Sequence, residues 1–191
     1  MLPTETMWTR RLFAYGIVAA VSVLLATQWV AAVKQANRAQ GNACFGLDPV
    51  PLGRPAGEFT LADLAGKRHS LQSLRGKVVL LHFWFTQCPP CIEELPSLHR
   101  LRRQMSGNPS FALMTVSVDE EKDEVKRFLA RHGLTDLPVL WDPEKKTSNA
   151  FGTTKFPESY LIDRSGNTRF RFINKRNWSS PLAQQCIRSV M

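Results

Sequence analysis

Residues 78–91 read Val-Val-Leu-Leu-His-Phe-Trp-Phe-Thr-Gln-Cys-Pro-Pro-Cys. The nearly unbroken apolar run from Val78 to Phe85 predicts a central strand that is buried on both faces. Cys88 and Cys91 follow this strand directly. They open a segment in which apolar residues recur at helical spacing: Leu95, Leu98, Leu101 and Met105. Since a helix N-terminus offers free N–H groups and a positive dipole end, both favouring a thiolate, the pattern predicts a redox-active cysteine pair.

Two prolines lie between these cysteines. Pro89 and Pro90 cost little in the first turn of a helix, where N–H groups have no partner within the helix. Because neither proline has an N–H, the Cys91 amide is the nearest backbone donor left for the Cys88 sulfur. We expect Cys88 to face solvent and attack, and the more buried Cys91 to resolve the mixed disulfide. A weakly stabilised thiolate favours a reductase or isomerase over a strong oxidant.

The flanking sequence predicts an α/β fold. Short strands are indicated before the motif (59–61 and 69–71) and after it (111–118, 139–141, 159–162 and 168–172). Helical spacing follows the motif and recurs around Val125–Leu129, and Ser180-Pro181 is a good helix start. The order β-β-β-α-β-α-β-β-β-α predicts a mixed central sheet with helices on both faces.

An apolar segment precedes this domain. Residues 12–33 carry no formal charge and as a helix would span roughly 33 Å, about the hydrocarbon thickness of a bilayer. We expect a single transmembrane anchor at 12–33, uncleaved, after an N-terminal tail at 1–11. Glycine and proline mark 34–57 as a linker, which leaves 58–191 for the folded domain. The net charge of +9 is spread out, without basic blocks interleaved with aromatics, so nucleic-acid binding is disfavoured.

The motif and its surroundings resemble the TlpA/ResA-type thioredoxin-like proteins. The resemblance covers about residues 55–178, and the motifs that carry it are 77–91, Glu93–Pro96, Val116–Asp119 and Phe156–Asp163. It implies a thioredoxin fold, a Cys88/Cys91 dithiol and export to the periplasmic or outer side of a bacterial cytoplasmic membrane. It further implies thiol–disulfide exchange on exported disulfide-containing proteins, with apocytochromes c as notable substrates and a membrane thiol reductase as electron donor. No cofactor and no metal are implied.

Matching positions carry further expectations. Pro157 falls where the family has a cis-proline beside the dithiol, with residue 156 offering backbone to substrate. Trp84 falls at a packing tryptophan. His82 departs from the usual Asp or Asn and is either a proton shuttle titrating near neutrality or a hydrogen-bonded core histidine. Phe156 and Glu158 replace smaller β-branched residues, and Glu158, if it approached the dithiol, would raise the pKa of Cys88.

Two cysteines lie outside the motif. Cys44 and Cys186 form one remaining pair, and an exported domain allows a structural disulfide between them. The other readings are two unrelated thiols, or lipid on Cys44.

Other classes of protein remain as alternatives. A zinc site lacks the further cysteine or histidine pair that four ligands require. A thioredoxin-fold peroxidase would place Thr and Pro in fixed steps before its cysteine, and here only Thr86 is present. A non-enzymatic copper-binding or assembly module typically uses CxxxC with a later histidine, whereas this chain has CxxC and no histidine after His132.

Overall fold

The computed structural model describes the backbone of residues 7–191, and the side chains of residues 14–31 and 43–191. Its first helix, α1, spans Met7–Phe45. Within α1 the segment Ala14–Ala31 has a mean hydropathy of 1.7 and is long and apolar enough to cross a membrane. This segment lies inside the predicted anchor at 12–33 and is compatible with a single-pass membrane anchor. A separate compact unit covers Gly41–Met191.

An eight-stranded mixed sheet forms the centre of the compact unit, in the order β1-β8-β7-β4-β5-β6-β2-β3. The motif strand β4 lies between parallel β5 and antiparallel β7, and all seven of its residues are buried. The predicted central strand is therefore confirmed. The strands are β1 (Val50–Pro55), β2 (Thr60–Asp63), β3 (Arg68–Ser70), β4 (Val78–Trp84), β5 (Phe111–Ser117), β6 (Val139–Trp141), β7 (Glu158–Ile162) and β8 (Asn167–Ile173).

Helices cover both faces of this sheet. The helices of the compact unit are α2 (Pro89–Gln104), α3 (Lys122–Arg131), α4 (Lys146–Phe151) and α5 (Pro181–Ser189). Apolar residues of α2, α3 and α5 pack with Val78, Leu80 and Trp84 on one face. Phe151 of α4 packs with the alternate β4 residues on the other face. This is the predicted thioredoxin fold.

One strand and one α-helix of the compact unit were not predicted, and both have a physical reason. Strand β1 contains two prolines and a glycine and is mostly exposed, so it lacks the alternation of a half-buried strand. It pairs with β8 at an edge of the sheet, where proline is tolerated. Helix α4 has six residues, too few to show a helical period.

The expected linker at 34–57 needs correction. It contains the end of α1 and the whole of β1, and the compact unit begins at Gly41 rather than at residue 58. The reason is that tertiary contacts, which the local sequence does not show, order this segment. Strand pairing between β1 and β8, together with a disulfide from Cys44 to Cys186, holds residues 44–55 to the sheet and to α5.

Candidate active site

A tight turn joins β4 to α2. The Cys88 N–H donates to the carbonyl of Phe85 at 3.3 Å. Cys88 then serves as the N-cap of α2, with Pro89 as the first helical residue. The buried strand thus delivers Cys88 to the positive end of the helix dipole, where negative charge on sulfur is stabilised.

The two motif cysteines are joined by a disulfide, with their Cα atoms 5.2 Å apart. Cys88 is 4% exposed and Cys91 is completely buried, so Cys88 is the more accessible of the two. The Cys91 N–H donates to the Cys88 sulfur at 3.3 Å. Of the residues from 89 to 91 only Cys91 has a backbone N–H, because Pro89 and Pro90 lack one. The donor expected from the sequence is the one observed.

The loop before β7 lies beside this turn. The Phe156–Pro157 peptide bond is cis, as the resemblance implies. The Phe156 ring packs edge-on against the Phe85 ring, with centroids 5.4 Å apart. Since Phe85 begins the turn that leads to Cys88, the structure brings the cis-proline loop and the redox motif together.

A groove of about 410 Å³ opens between these two segments. Phe85 and Phe156 line it on the apolar side, and Gln87 lies next to the motif. Glu120 and Glu121, both exposed, are among the carboxylates on its rim. The groove therefore reaches the redox turn through Phe85 and Gln87, the residues that precede Cys88.

His82 is a buried core histidine. Its Nδ1 lies 2.9 Å from the Ser159 hydroxyl, and its Nε2 has no hydrogen-bond partner among the described residues. Burial disfavours the imidazolium and lowers the pKa of His82 to about 3. With that pKa, protonation at pH 7 would cost about 5 kcal/mol. The expectation of a group that titrates near neutrality is wrong, and the core-histidine reading is the one that the structure supports.

Glu158 does not approach the dithiol through its carboxylate. That carboxylate forms an ion pair with Arg171 and accepts a hydrogen bond from the Tyr160 hydroxyl at 3.0 Å. Tyr160 belongs to the apolar cluster on the α4 face of the sheet, whereas Cys88 and Cys91 pack on the opposite face. Alternation along β7 decides this orientation. The expected effect of Glu158 on the pKa of Cys88 is therefore corrected.

Trp84 has the packing role that its position implies. Its side chain is completely buried, and its ring lies 5.5 Å from that of Phe128 on α3. The last residue of β4 is thus anchored between the sheet and a helix immediately before the redox turn.

A second disulfide joins Cys44 at the end of α1 to Cys186 on α5. Both residues are completely buried and are separated by 142 residues in sequence. The structure contains the disulfide expected from cysteine usage and excludes lipid on Cys44 while that bond is formed.

Sequence reasoning assigned no role to Glu94, which lies three residues after Cys91. Its carboxylate accepts hydrogen bonds from the Arg176 backbone N–H at 3.1 Å and from the Trp178 indole. Burial raises the pKa of Glu94 to about 8. The sequence did contain a signal that Glu94 is buried. Glu94, Leu98 and Leu101 have the spacing i, i+4, i+7, which puts Glu94 on the apolar face of α2.

Asp119 was missed as well. It follows β5, whose last residue, Ser117, is in register with Trp84 of parallel β4. Because the carboxyl ends of parallel neighbours meet at one edge of a sheet, the side chain of Asp119 reaches the redox turn. The Thr86 N–H donates to its carboxylate at 3.0 Å.

This geometry suits thiol–disulfide exchange. An accessible sulfur lies at a helix N-terminus, a second sulfur lies one turn away, and Phe85 and Gln87 of the preceding turn line an open groove. In the described part of the chain, no three His, Cys, Asp or Glu side chains are grouped as metal ligands.

Comparison with known proteins agrees with this chemistry. Residues 52–171 match the AhpC/TSA family. The thiol-disulfide oxidoreductase ResA of Geobacillus thermodenitrificans is 37% identical over 120 residues, covering 63% of this chain and 68% of the relative. ResA of Bacillus subtilis is 32% identical over 126 residues, covering 65% and 69%. The structure of a thiol:disulfide interchange protein from Chlorobium tepidum matches with a TM-score of 0.62 and 26% identity, covering 74% of this chain and 99% of that one.

Proposed function

Because the chain belongs to the AhpC/TSA family and is a thiol–disulfide oxidoreductase, we propose that it works as a reductase of exported proteins through Cys88 and Cys91. The observation that carries this proposal is the position of Cys88, which caps α2 and accepts a hydrogen bond from the Cys91 N–H. Disulfide-containing proteins are its substrates, and the groove beside the motif is where they dock.

The proposed reaction has two exchange steps. In the reduced enzyme the Cys88 thiolate attacks one sulfur of a substrate disulfide, which forms a mixed disulfide and releases one substrate thiolate. The Cys91 thiolate then attacks the Cys88 sulfur, which closes the Cys88–Cys91 disulfide and releases the second substrate thiolate. Two electrons pass to the substrate, and the two protons of the enzyme dithiol end on the two substrate thiols.

The donors around Cys88 support the reductase direction of this proposal. A reduced form stabilised by many hydrogen bonds to its thiolate makes a strong oxidant. Across residues 89–91 the sulfur has the Cys91 N–H as its backbone donor, since Pro89 and Pro90 have none. The thiolate is therefore only weakly stabilised, which favours the disulfide form and makes the dithiol a reductant.

The resemblance to TlpA/ResA-type proteins supplies the partners. Apocytochromes c are the proposed substrates, and a membrane thiol reductase is the proposed electron donor that returns the disulfide to the dithiol. The cis Phe156–Pro157 bond supports a substrate segment lying along the loop before β7.

The second disulfide supports an exported domain. Structural disulfides persist in oxidising compartments, and Cys44–Cys186 is buried in the packed domain. In this proposal the apolar segment Ala14–Ala31 is a single-pass anchor, and the catalytic domain lies on the periplasmic or outer side of a bacterial cytoplasmic membrane.

Redox titration of Cys88/Cys91 against glutathione tests the direction, with the full chain in detergent. We expect a potential near that of thioredoxin, about −270 mV, and a value above about −150 mV would contradict a reductase. A Cys91→Ser variant should trap substrates as mixed disulfides on Cys88. Peroxide consumption without disulfide reduction, or stoichiometric copper binding that survives competition, would instead support the two alternative functions.

A further inference from the structure

The geometry points to Asp119 as a positioning residue for thiol–disulfide exchange, acting through Thr86 on the turn that holds Cys88. This inference rests on the proposed function. It concerns a residue that touches neither sulfur atom. Its evidence is a set of hydrogen bonds between the end of β5 and the turn between β4 and α2.

The Asp119 carboxylate is buried and surrounded by donors. The Thr86 N–H donates to its two oxygens at 3.0 and 3.1 Å, and the Thr86 hydroxyl donates to one of them at 2.6 Å. The Ser117 hydroxyl donates to the other oxygen at 2.7 Å. Hydrogen bonds to an ionised acceptor are roughly twice as strong as neutral ones. The carboxylate therefore holds both the backbone and the side chain of Thr86.

Asp119 is itself held in place. Its N–H donates to the Ser117 hydroxyl at 3.2 Å, and its carbonyl accepts from the Trp141 indole at 2.9 Å. Trp141 ends β6 and Ser117 ends β5, so both partners belong to the sheet. The position of the Asp119 carboxylate is thus set by the ends of β5 and β6.

Thr86 connects the edge of the sheet to the redox turn through its hydrogen bonds to Asp119. β4 ends at Trp84, and the turn closes where the Cys88 N–H meets the Phe85 carbonyl. Thr86 lies inside that turn, two residues before Cys88. Fixing its N–H and hydroxyl limits the directions in which the turn can place the N-cap of α2.

This placement matters for closing the disulfide. In the dithiol the sulfurs are no longer bonded, and the Cα atoms of Cys88 and Cys91 must stay near their 5.2 Å separation for resolution to be efficient. A freer turn would spend more time with the sulfurs apart, which lowers the effective concentration of one for the other. Both the equilibrium for ring closure and the rate of resolution depend on that concentration.

Glu124 offers a contrast within the same cluster. Its carboxylate lies 3.1 Å from the Thr86 hydroxyl, which is farther than the 2.6 Å to Asp119. A single hydroxyl proton points to the nearer acceptor, and the Thr86 N–H bonds go to Asp119. The positioning role therefore belongs to Asp119.

The test is the equilibrium of the full chain in detergent with reduced and oxidised glutathione, read by acid quenching, alkylation and mass spectrometry. Thr86→Val removes the hydroxyl donor at constant charge and nearly constant shape, and we expect the constant for closing Cys88–Cys91 to fall about tenfold. Thr86→Ser retains the hydroxyl and should stay within about twofold of the wild type. Asp119→Asn is a second variant, and we expect it to lower the same ring-closure constant.

A matched control separates positioning from stability. Thr153 is buried, and its hydroxyl lies 3.0 Å from that of Tyr160 on the α4 face of the sheet. Thr153→Val should lower thermal stability but leave the ring-closure constant unchanged. An unchanged constant in folded Thr86→Val and Asp119→Asn would overturn the inference. A wild-type Cys88–Cys91 pair that never equilibrates with glutathione would instead overturn the proposed function.

Discussion

The pH dependence of stability is the sharpest consequence of the buried carboxyl of Glu94. Burial raises its pKa from 4.5 to about 8, so the folded protein binds a proton between these values that the unfolded chain releases. The stabilisation from this proton is complete below pH 4.5 and is lost as the pH rises through 8. Integrated from pH 5 to pH 9, these two values correspond to a loss of about 4 kcal/mol from this residue.

The perturbation that isolates this effect is Glu94→Gln. Glutamine keeps an oxygen to accept from the Trp178 indole and the Arg176 N–H, and it resembles the protonated carboxyl. At pH 5 we expect the variant to lie within about 1 kcal/mol of the wild type. At pH 9 the variant should be the more stable protein, by about 3 to 4 kcal/mol.

The measurement is guanidinium unfolding of the oxidised full chain in detergent, followed by near-ultraviolet circular dichroism from pH 5 to pH 9. It gives the difference in free energy of unfolding between Glu94→Gln and the wild type. Other titrating groups are common to both proteins and cancel. The neighbouring Glu93 has an exposed side chain that pairs with Lys175, so Glu93→Gln is the matched control and should keep the wild-type pH slope. If the wild type and Glu94→Gln kept a constant difference from pH 5 to 9, the reasoning about a buried, protonated carboxyl would be refuted.

Three further predictions follow from other buried groups. Replacing both Cys44 and Cys186 by Ala should lower the free energy of unfolding by up to about 5 kcal/mol, the chain-entropy value for a 142-residue separation, while glutathione exchange at the motif persists. Glu158→Gln leaves Arg171 without its ion-pair partner and should cost about 3 kcal/mol in thermal or chemical unfolding, yet leave the Cys88 pKa unchanged in an alkylation–pH profile. The imidazole of His82 should show no NMR titration between pH 5 and 9, and its contribution to stability should decline as the pH falls from 6.5 towards 3.

The sequence by itself determined the elements whose signal is local. Val78–Phe85 is apolar except at His82 because β4 is covered on both faces, and the two cysteines follow this strand at the spacing of one helical turn. Missing N–H groups in Pro89 and Pro90 are a covalent property, so the donor to Cys88 could be named in advance. The N-cap of α5 could also be predicted from the sequence, and in the structure the Ser180 hydroxyl accepts from the Ala183 N–H at 3.2 Å.

Tertiary structure alone decided which polar side chains meet. Whether Glu158 faced the dithiol depended on the face to which β7 turned it, and a shift of one residue in register exchanges the two faces. The pKa of His82 lies far below neutrality because the imidazole is completely buried, which the sequence position by itself does not reveal. Asp119 reaches Thr86 across 33 residues only because parallel strands end at the same edge. Local sequence carries periodicity and covalent chemistry, whereas burial and partnership are set by elements that are distant along the chain.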